Sequence, residues 1–306
     1  MRFGLALPQF GAFTEPRDAL DVARAAEEMG YDSLWVGDRI LVPAQPRDPY
    51  PGGDGSIPSQ YHSFLDPLTL LTIAATVTHR VRLGSSTLNA LWQPPVMLAR
   101  TLSTLDQLSH GRLDVGIGLG WSRDEYQAVG VPWKGRGARL EETLDIFDAV
   151  WTKDVVEHKG PLWTVPSATI GAKPYQRPSP PILLGGFTPA TFERIGRRAD
   201  GWLTAGVPVP VLTRAWKAIL VAAEAAGRDP ASLRMITRIN PKFTETTASD
   251  ELVPRTGTIG QIIDYVRAVA EISNQEVLID LQFTTTSIGQ LVDLAHRLIT
   301  DLSDRH

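Results

Sequence analysis

The stretch "RLDVGIGLGW", residues 112–121, carries a glycine at every second position: Gly116, Gly118 and Gly120. It comes close to the G-x-G-x-x-G pattern with which a strand-to-helix turn holds a dinucleotide pyrophosphate. The third glycine stands one residue too early, and the bulky Trp121 occupies its expected position. No acidic residue ends a following strand about 20 residues further on, where the ribose would need one. These departures argue against a dinucleotide-binding fold.

The alternation itself is informative, because successive side chains of a strand point to opposite faces. Asp114 and the three glycines share one face, while Val115, Ile117 and Leu119 share the other. In a barrel strand, the branched apolar face would pack against helices and the glycine face would line the lumen. Two interpretations of the glycine face stay open at this point. Glycine either relieves crowding in a narrow barrel or leaves room for a flat ligand close to the backbone.

Outward from this strand, β-like runs alternate with helical segments along the whole chain. The predicted strands are 2–8, 33–38, 81–88, 112–120, 180–186, 201–206, 233–240 and 276–283. The predicted helices are 16–29, a segment that starts after Asp66, 94–109, 122–129, 137–152, 189–198, 210–226, 258–272 and 288–301. Strands that alternate with helices favour a parallel sheet. Eight such units in 306 residues predict one α/β domain over 1–306, a (β/α)8 TIM barrel, with an open doubly wound sheet as the alternative.

Two long segments interrupt this alternation. Residues 39–65, rich in proline and glycine, follow the second predicted strand, and the irregular, proline-rich residues 153–178 follow the fourth unit. Active sites of (β/α)8 barrels lie at the carboxyl ends of the strands, where such segments emerge. We therefore expect both segments to be insertions beside the active site, with 39–65 a candidate lid.

Composition excludes several classes of function. The net charge is −4 and no run of Lys or Arg occurs, which argues against nucleic-acid binding. The chain has no cysteine, so disulfides, thiolate catalysis and cysteine-ligated zinc are excluded, and the six histidines show no metal-ligand spacing. No uninterrupted apolar run reaches the length of a membrane span, and the amino terminus lacks a signal-peptide pattern. We expect a cytoplasmic protein without a metal site.

The stretch "LLGGFTPATFERIG", residues 183–196, suggests an anion site. A predicted strand ends in Gly185 and Gly186, Thr188 suits a helix N-cap, and Pro189 suits the first helical position. The N–H groups at the start of such a helix bind phosphate, and the two glycines would allow close approach. A helix that is merely well capped is the alternative.

Four longer stretches carry a family resemblance: "AAEEMGYDSLWVGDRILVP" (25–43), "LDPLTLLTIAATVTHRVRLGSSTL" (65–88), "PPVMLARTLSTLDQLSHGRLDVGIGLGWSRDEYQAVG" (94–130) and "PYQRPSPPILLGGFTPATFERIGRRADGW" (174–202). They resemble the luciferase-like flavin and deazaflavin oxidoreductases, most closely the actinobacterial branch that uses coenzyme F420. The FMN-dependent branch shares most of these motifs. The resemblance implies a barrel that holds a tricyclic cofactor over the strand ends, a homodimer, and a non-prolyl cis peptide, here Ser86–Thr87.

The resemblance also implies a set of site residues. The expected cofactor contacts are Asp38, Ser86, Thr87, Asn89, Gly118, Gly120, Trp121, Gly185, Gly186, Phe187 and Thr188. Asp38, Arg39 and Trp121 are the expected catalytic residues. Arg39 replaces the histidine common in the deazaflavin branch, and Trp121 replaces a glutamate that relays protons in sugar- and alcohol-oxidising relatives. Tyr61, His62 and solvent stay open as proton donors.

These two departures count against alcohol or sugar oxidation, since neither arginine nor tryptophan exchanges a proton near neutral pH. They leave an F420-dependent oxidoreductase that transfers a hydride from the reduced deazaflavin to an activated C=C, C=N or C=O bond of a small substrate. An FMNH2-dependent monooxygenase that uses oxygen is the alternative enzyme. A barrel that binds the cofactor without turnover is the alternative outside enzymes.

Overall fold

The computed structural model describes residues 1–273 and 275–303. In chain order its strands are β1 (Arg2–Ala6), β2 (Ser33–Val36), β3 (Arg82–Ser85), β4 (Leu113–Ile117), β5 (Val155–Lys159), β6 (Thr164–Thr169), β7 (Ile182–Gly185), β8 (Gly201–Ala205), β9 (Arg234–Ile239), β10 (Lys242–Phe243), β11 (Thr256–Gly257) and β12 (Glu276–Ile279). The helices are α1 (Pro16–Met29), α2 (Pro67–Val77), α3 (Pro95–Leu108), α4 (Arg123–Ala128), α5 (Arg136–Thr152), α6 (Pro189–Arg198), α7 (Val209–Ala225), α8 (Ile259–Ile272) and α9 (Ile288–Ser303).

Eight parallel strands close into a barrel in the order β1-β2-β3-β4-β7-β8-β9-β12, and β12 pairs again with β1. The predicted (β/α)8 barrel is therefore confirmed, and the alternative of an open doubly wound sheet is wrong. Each barrel strand lies within one of the eight predicted runs. None of the described helices is long and apolar enough to cross a membrane.

The lumen of the barrel is a packed core at its middle level. Six buried apolar side chains fill it: Ala6, Trp35, Leu183, Leu203, Ile236 and Leu278. A Cβ on Gly116 would overlap the Ser85 carbonyl oxygen and the Leu203 side chain. Of the two interpretations of the glycine face, relief of crowding is therefore correct at Gly116. A ligand has no room at this depth, so any site lies further along the strands.

Charged residues close the amino end of the barrel. Asp114 is fully buried and lies 2.7 Å from Arg82 Nη2 and 2.8 Å from Arg234 Nη1. Arg234 also lies 3.4 Å from Glu276 at the start of β12. Because these ion pairs fill the floor, the open end of the barrel is the end where the strands terminate.

The two predicted insertions differ in structure. Residues 37–66 form a loop with one short 3-10 turn, Ser59–His62, whereas the second insertion contains an antiparallel hairpin of β5 and β6. The prediction that 153–178 is irregular is therefore wrong over these two strands. Glu142 on α5 holds the hairpin, because its carboxylate accepts hydrogen bonds from the Leu162 and Trp163 N–H groups and lies 3.0 Å from His158 Nε2. A small parallel sheet, β10 with β11, was not predicted.

Candidate active site

Of the cavities at the carboxyl ends of the barrel strands, two contain most of the predicted site residues, and their volumes are about 600 Å³ and 270 Å³. They share five lining residues and form one continuous cleft: Ser86, Thr87, Gly120, Ala205 and Arg238. The Ser86–Thr87 peptide bond, directly after β3, is cis, as predicted. The predicted site residues fall on both sides of this shared wall, so the structure brings the two halves of the predicted site together.

The starts of two helices line the larger cavity. Gly185, Gly186, Phe187 and Thr188 lead from β7 into α6, and the Thr188 hydroxyl accepts a hydrogen bond from the Thr191 N–H group at 3.2 Å. On the facing side, Gly135 is the left-handed N-cap of α5, next to Arg136. Helix starts present unpaired N–H groups and a partial positive charge, so two of them in one cavity favour an anion.

The arginines around this cavity outnumber the acidic residues that neutralise them. Glu141 lies 2.6 Å from Arg194 Nε and also pairs with Arg197 and Arg198. Burial pushes the pKa of Glu141 up, but the hydrogen bonds from Arg194 and Arg198 outweigh burial and lower it. Arg136 Nε is buried and has no hydrogen-bond partner among the described residues. These donors fit a phosphorylated cofactor, with the phosphate at the helix starts.

Gly118 and Gly120 serve this cleft rather than the packed core. A Cβ on Gly118 would overlap the Thr87 hydroxyl. Gly120 has a left-handed φ of +62°, and a Cβ there would lie 3.1 Å from Asn89 Nδ2. Both glycines line the larger cavity. They allow Thr87 and Asn89, which follow β3, to approach the end of β4 closely.

Asp38 lies in the smaller cavity, directly beyond β2. Its carboxylate accepts a hydrogen bond from the Asn89 N–H group at 3.0 Å. Burial raises the pKa of Asp38 to about 7, and the nearby carboxylates of Glu125 and Asp66 act in the same direction, against Asn89 and Arg39. Asp38 therefore exchanges a proton near neutral pH, which a proton donor in a reductase needs.

Arg39 is fixed between two aromatic rings. Its guanidinium carbon lies 4.9 Å from the ring centroids of both Tyr61 and Trp121, and its side chain is only 7% exposed. Glu125 on α4 faces it, with Oε1 3.7 Å from Arg39 Nη1. Arg39 Nη1 has no hydrogen-bond partner among the described residues. Trp121 lines the smaller cavity.

Sequence reasoning missed Arg238 and Glu125. Arg238 on β9 lines both cavities, pairs with Asp280, and donates a hydrogen bond to the Ser86 carbonyl oxygen. Ile236 faces the lumen, and Arg238, two residues further along the same strand, lies on the same face, which was a usable sequence signal. Of the candidate proton donors, Tyr61 lines the smaller cavity, and burial raises its pKa well above the ordinary value, so it stays neutral. His62 is exposed.

A closed (β/α)8 barrel with a polar cleft at the carboxyl ends of its strands has the architecture of barrel enzymes that act on small molecules. Among the described residues, no cluster of three or more metal-ligating side chains occurs. Residues 1–251 match the luciferase-like monooxygenase family, and the chain belongs to this family.

Two relatives come from Mycobacterium tuberculosis strain H37Rv. An uncharacterised protein is 35% identical over 246 residues, which cover 75% of this chain and 80% of the relative. A phthiodiolone/phenolphthiodiolone dimycocerosates ketoreductase is 33% identical over 216 residues, which cover 68% of this chain and 56% of the relative.

Solved structures share the fold at low sequence identity. Monooxygenase RslO1 from Streptomyces bottropensis superimposes with a TM-score of 0.82 at 22% identity, covering 100% of this chain and 99% of the other. The coenzyme F420-dependent tetrahydromethanopterin reductase from Methanopyrus kandleri gives a TM-score of 0.77 at 16% identity, covering 98% of both chains. Proteins of this fold thus include both monooxygenases and F420-dependent reductases.

Proposed function

We propose that the protein is an F420-dependent oxidoreductase that transfers a hydride from the reduced deazaflavin to an activated C=C, C=N or C=O bond of a small molecule. The observation that carries this proposal is the placement of Asp38 together with the fixed cation of Arg39 in the smaller cavity, where burial raises the pKa of Asp38 to about 7, as suits a proton donor. In the proposed reaction, Asp38 supplies the proton that follows hydride transfer, and Arg39 supplies a positive charge beside the substrate. The similarity to a mycobacterial ketoreductase and to an F420-dependent reductase supports the same type of reaction.

The residues of the cleft fit the cofactor. The starts of α6 and α5 would hold its phosphate, through Gly185, Gly186, Phe187 and Thr188 on one side and Arg136 on the other. The wall that both cavities share would take its ring system. When bound, the reduced deazaflavin supplies a hydride, which is two electrons and one proton.

The protein's own groups complete the reaction. Asp38 donates the second proton, at a pH where about half of the molecules hold it. Arg39 stabilises the negative charge that develops on the substrate, because a buried guanidinium acts there as a preorganised electrostatic group. Trp121 and Tyr61 hold Arg39 by stacking and exclude water from one side of the cavity.

An FMNH2-dependent monooxygenase is the second candidate, and membership of the luciferase-like monooxygenase family favours it. A 5-deazaflavin supports two-electron hydride chemistry, whereas oxygenation needs a true flavin. The identity of the cofactor therefore separates the two candidates.

The deciding experiment is a parallel titration of the purified protein with F420 and with FMN, followed by quenching of tryptophan fluorescence. Trp121 in the cleft provides the signal. We expect F420 to bind at least tenfold more tightly than FMN. Binding of FMN without binding of F420 would contradict the proposal. Single-turnover oxidation of bound reduced F420 by a panel of carbonyl and enone substrates then tests turnover, and its complete absence would leave a cofactor-binding barrel.

We further propose that the protein is a cytoplasmic homodimer. Met97 and Leu108 on α3 are 52% and 40% exposed, and a groove between α2 and α3 is lined by three leucines together with Thr72, Arg100, Thr101 and Thr104. Exposed apolar residues along one pair of helices are typical of a contact with another chain. Light scattering coupled to size-exclusion chromatography should give twice the 33.5 kDa mass of one chain. A monomeric mass at micromolar concentration would contradict the dimer.

A further inference from the structure

The smaller cavity has a wall of aromatic rings. Six aromatic side chains line it: Phe10, Tyr50, Tyr61, Phe64, Trp92 and Trp121. Phe10 and Phe64 are stacked at 5.2 Å between centroids, and Tyr50 meets Trp121 edge-on at 5.6 Å. The volume of 270 Å³ equals about nine water molecules at about 30 Å³ each, which is room for a small molecule. Such a wall favours a flat, unsaturated or aromatic ligand.

The charges around this cavity are already compensated. Both arginines that line it face a carboxylate, Arg39 at 3.7 Å from Glu125 and Arg238 in an ion pair with Asp280. Asp38 carries a proton for part of the time near neutral pH. An anionic ligand would therefore meet no unpaired cation and would add a charge next to Asp38 and Glu125. A neutral ligand meets neither cost.

One group nevertheless calls for a hydrogen-bond acceptor. Arg39 Nη1 is buried without a hydrogen-bond partner among the described residues, since its contact with Glu125 is longer than a hydrogen bond. The stacked rings of Tyr61 and Trp121 prevent the guanidinium from turning away. A small adjustment of Arg39 within this stack would let it donate to an oxygen atom in the cavity.

Glu125 sets the position of Arg39. Its carboxylate accepts a hydrogen bond from the Ile40 N–H group at 3.1 Å, so it holds the backbone next to Arg39 as well as the guanidinium. It stands in the first turn of α4, where the Ser122 hydroxyl caps the helix by accepting from the Glu125 N–H group. Glu125 is 3% exposed and has no access to bulk solvent to make other partners. The Glu125 side chain therefore connects α4 to the start of the candidate lid, residues 39–65.

From this arrangement we infer that the smaller cavity binds a flat, neutral, conjugated carbonyl compound whose oxygen accepts a hydrogen bond from Arg39, at a position set by Glu125. The inference names the substrate class of the proposed reaction and rests on that function. In the reaction, a C–H bond of the reduced deazaflavin would break, its hydride would form a new C–H bond at the unsaturated carbon, and the π electron pair would move to the oxygen beside Arg39. Asp38 supplies one proton and regains it from solvent, so the carbonyl compound gains two electrons and two hydrogens while reduced F420 loses two electrons.

Binding to the cofactor-free protein tests the inference without any turnover. Three probes share one phenylpropenyl frame: benzylideneacetone is a neutral enone, cinnamate is its anionic counterpart, and trans-β-methylstyrene has no oxygen. Isothermal titration calorimetry should give the enone an affinity at least tenfold higher than either of the others, the gain typical of a hydrogen bond to a charged group. The absence of cysteine excludes thiol adducts with the enone.

Four variants locate the effect. Arg39→Gln should lower the affinity for the enone about tenfold, to that of the hydrocarbon. Glu125→Gln should lower the affinity for the enone severalfold although Arg39 is still present, and it should leave the affinity for the hydrocarbon unchanged. A purely structural role of Glu125 would not separate the two affinities in this way. The double variant Arg39→Gln/Glu125→Gln removes both charges of the pair together, so neither is left buried without its partner. It replaces the single variants if one of them fails to fold. Arg24→Gln, an exposed arginine on α1, is the matched control and should bind all three probes like the original protein.

Three results would overturn the inference: equal affinity for the enone and the hydrocarbon, tighter binding of cinnamate, or an Arg39→Gln protein that binds the enone unchanged. F420 is titrated in parallel. If F420 fails to bind while the enone binds through Arg39, the proposed function is wrong and the carbonyl site stands. If F420 binds and the enone shows no preference, the cofactor assignment stands and the substrate class is wrong.

Discussion

Asp38 couples the site to the stability of the whole protein. In the unfolded chain this group ionises near its ordinary pKa of 3.8, whereas burial raises the pKa in the folded protein to about 7. Between these two values the folded protein holds a proton that the unfolded chain has released, so the free energy of unfolding falls as the pH rises. Asp38→Asn removes this loss. We expect the variant to be more stable than the original protein above pH 7, by about 2–4 kcal/mol, with a difference that shrinks toward pH 4.

Chemical denaturation at about pH 4.5 and about pH 8 measures this difference. Asp293→Asn on the exposed side of α9 is the matched control, and its stability should follow the original protein at both pH values. An Asp38→Asn protein that is less stable at both pH values would show that Asp38 is ionised in the folded state. The proton-donor role would then be lost with it.

The alternating glycines of β4 should respond very differently to the same added methyl group. On Gly116 it would overlap a backbone carbonyl, that of Ser85, and β3 cannot move away without breaking the barrel. On Gly118 it would overlap only the Thr87 hydroxyl, which can rotate. We expect Gly116→Ala to cost about 3 kcal/mol or more in unfolding free energy and Gly118→Ala about 1 kcal/mol. Urea denaturation measures both, and equal costs would contradict the assignment.

A second substitution sharpens this comparison. Thr87→Ala removes the hydroxyl that Gly118→Ala would strike, so the double variant should recover most of the loss, while Gly116→Ala should not be rescued. The sequence alone predicted which face each glycine occupies, because alternation is fixed by strand geometry. The sequence did not predict which atoms occupy the space that a Cβ on Gly116 would enter, since Ser85 and Leu203 reach Gly116 from strands that are distant in the chain.

At the scale of elements, the start of α6 is the predicted phosphate cradle. Gly186 has a φ of +135°, and a Cβ there would lie 3.1 Å from the Thr191 hydroxyl in the first turn of the helix. Gly186→Val would therefore move the loop that meets the phosphate, and we expect the F420 affinity to fall at least tenfold. Gly171→Val is the control, since its Cβ meets nothing within 4 Å. Fluorescence titration of both proteins decides, and unchanged affinity in Gly186→Val would remove the phosphate from this helix.

The candidate lid, residues 39–65, is attached to α4 by two reciprocal contacts. Asp48 accepts hydrogen bonds from the Arg123 backbone and side chain at 2.8 and 2.9 Å, and Asp124 accepts from the Arg47 backbone at 3.1 Å. Exposed ion pairs contribute only about 0.5 kcal/mol each. We expect Asp48→Asn/Asp124→Asn to raise amide hydrogen exchange in the lid about fivefold. Glu157→Gln, which removes the exposed Lys159–Glu157 pair of the hairpin, should leave lid exchange unchanged. If residues 39–65 exchange at the same rate in Asp48→Asn/Asp124→Asn as in the control Glu157→Gln, this attachment is excluded.

The β5–β6 hairpin was not predicted from the sequence because its strand pattern is interrupted. The β5–β6 hairpin contains Pro166 in β6 and a register shift between Val156 and His158, and both features weaken a strand pattern. Its anchor, Glu142, lies on the preceding helix. The start of α5 at Arg136 was predicted to within a residue, but its place opposite α6 depends on the barrel as a whole. Local patterns predict where an element begins, and tertiary packing decides which elements face each other.

At the scale of the whole molecule, the sequence predicted the closed barrel because eight repeated units fix the number of strands and their parallel order. It predicted only part of the site. Asp38 and Arg39 follow β2 closely and could be found by position, whereas Glu125 and Arg238 join the cleft from α4 and β9. The site roles of all four stay predictions, since their tests are the binding and stability experiments above.

The barrel floor should have a pH dependence opposite to that of the cleft. Burial pushes the pKa of Asp114 up, but hydrogen bonds from Arg82 and the charge of Arg234 outweigh burial and lower it. This carboxylate therefore stabilises the folded protein above its ordinary pKa, and the stabilisation is lost as the pH falls from that value through the lower pKa of the folded state. Asp114→Asn leaves Arg82 and Arg234 facing an uncharged amide.

We expect Asp114→Asn to lower the free energy of unfolding by about 3–5 kcal/mol at neutral pH, the usual cost of breaking a buried pair, and by less at about pH 3. Arg82→Gln, whose side chain is 26% exposed, is the milder variant if Asp114→Asn fails to fold. Neither change should alter the affinity for F420 or for benzylideneacetone, because the packed lumen around Trp35 and Leu203 separates the floor from the cleft. Denaturation and ligand titration on the same samples test both statements. A floor variant that folds yet loses ligand affinity would show that the packed lumen transmits changes from one end of the barrel to the other.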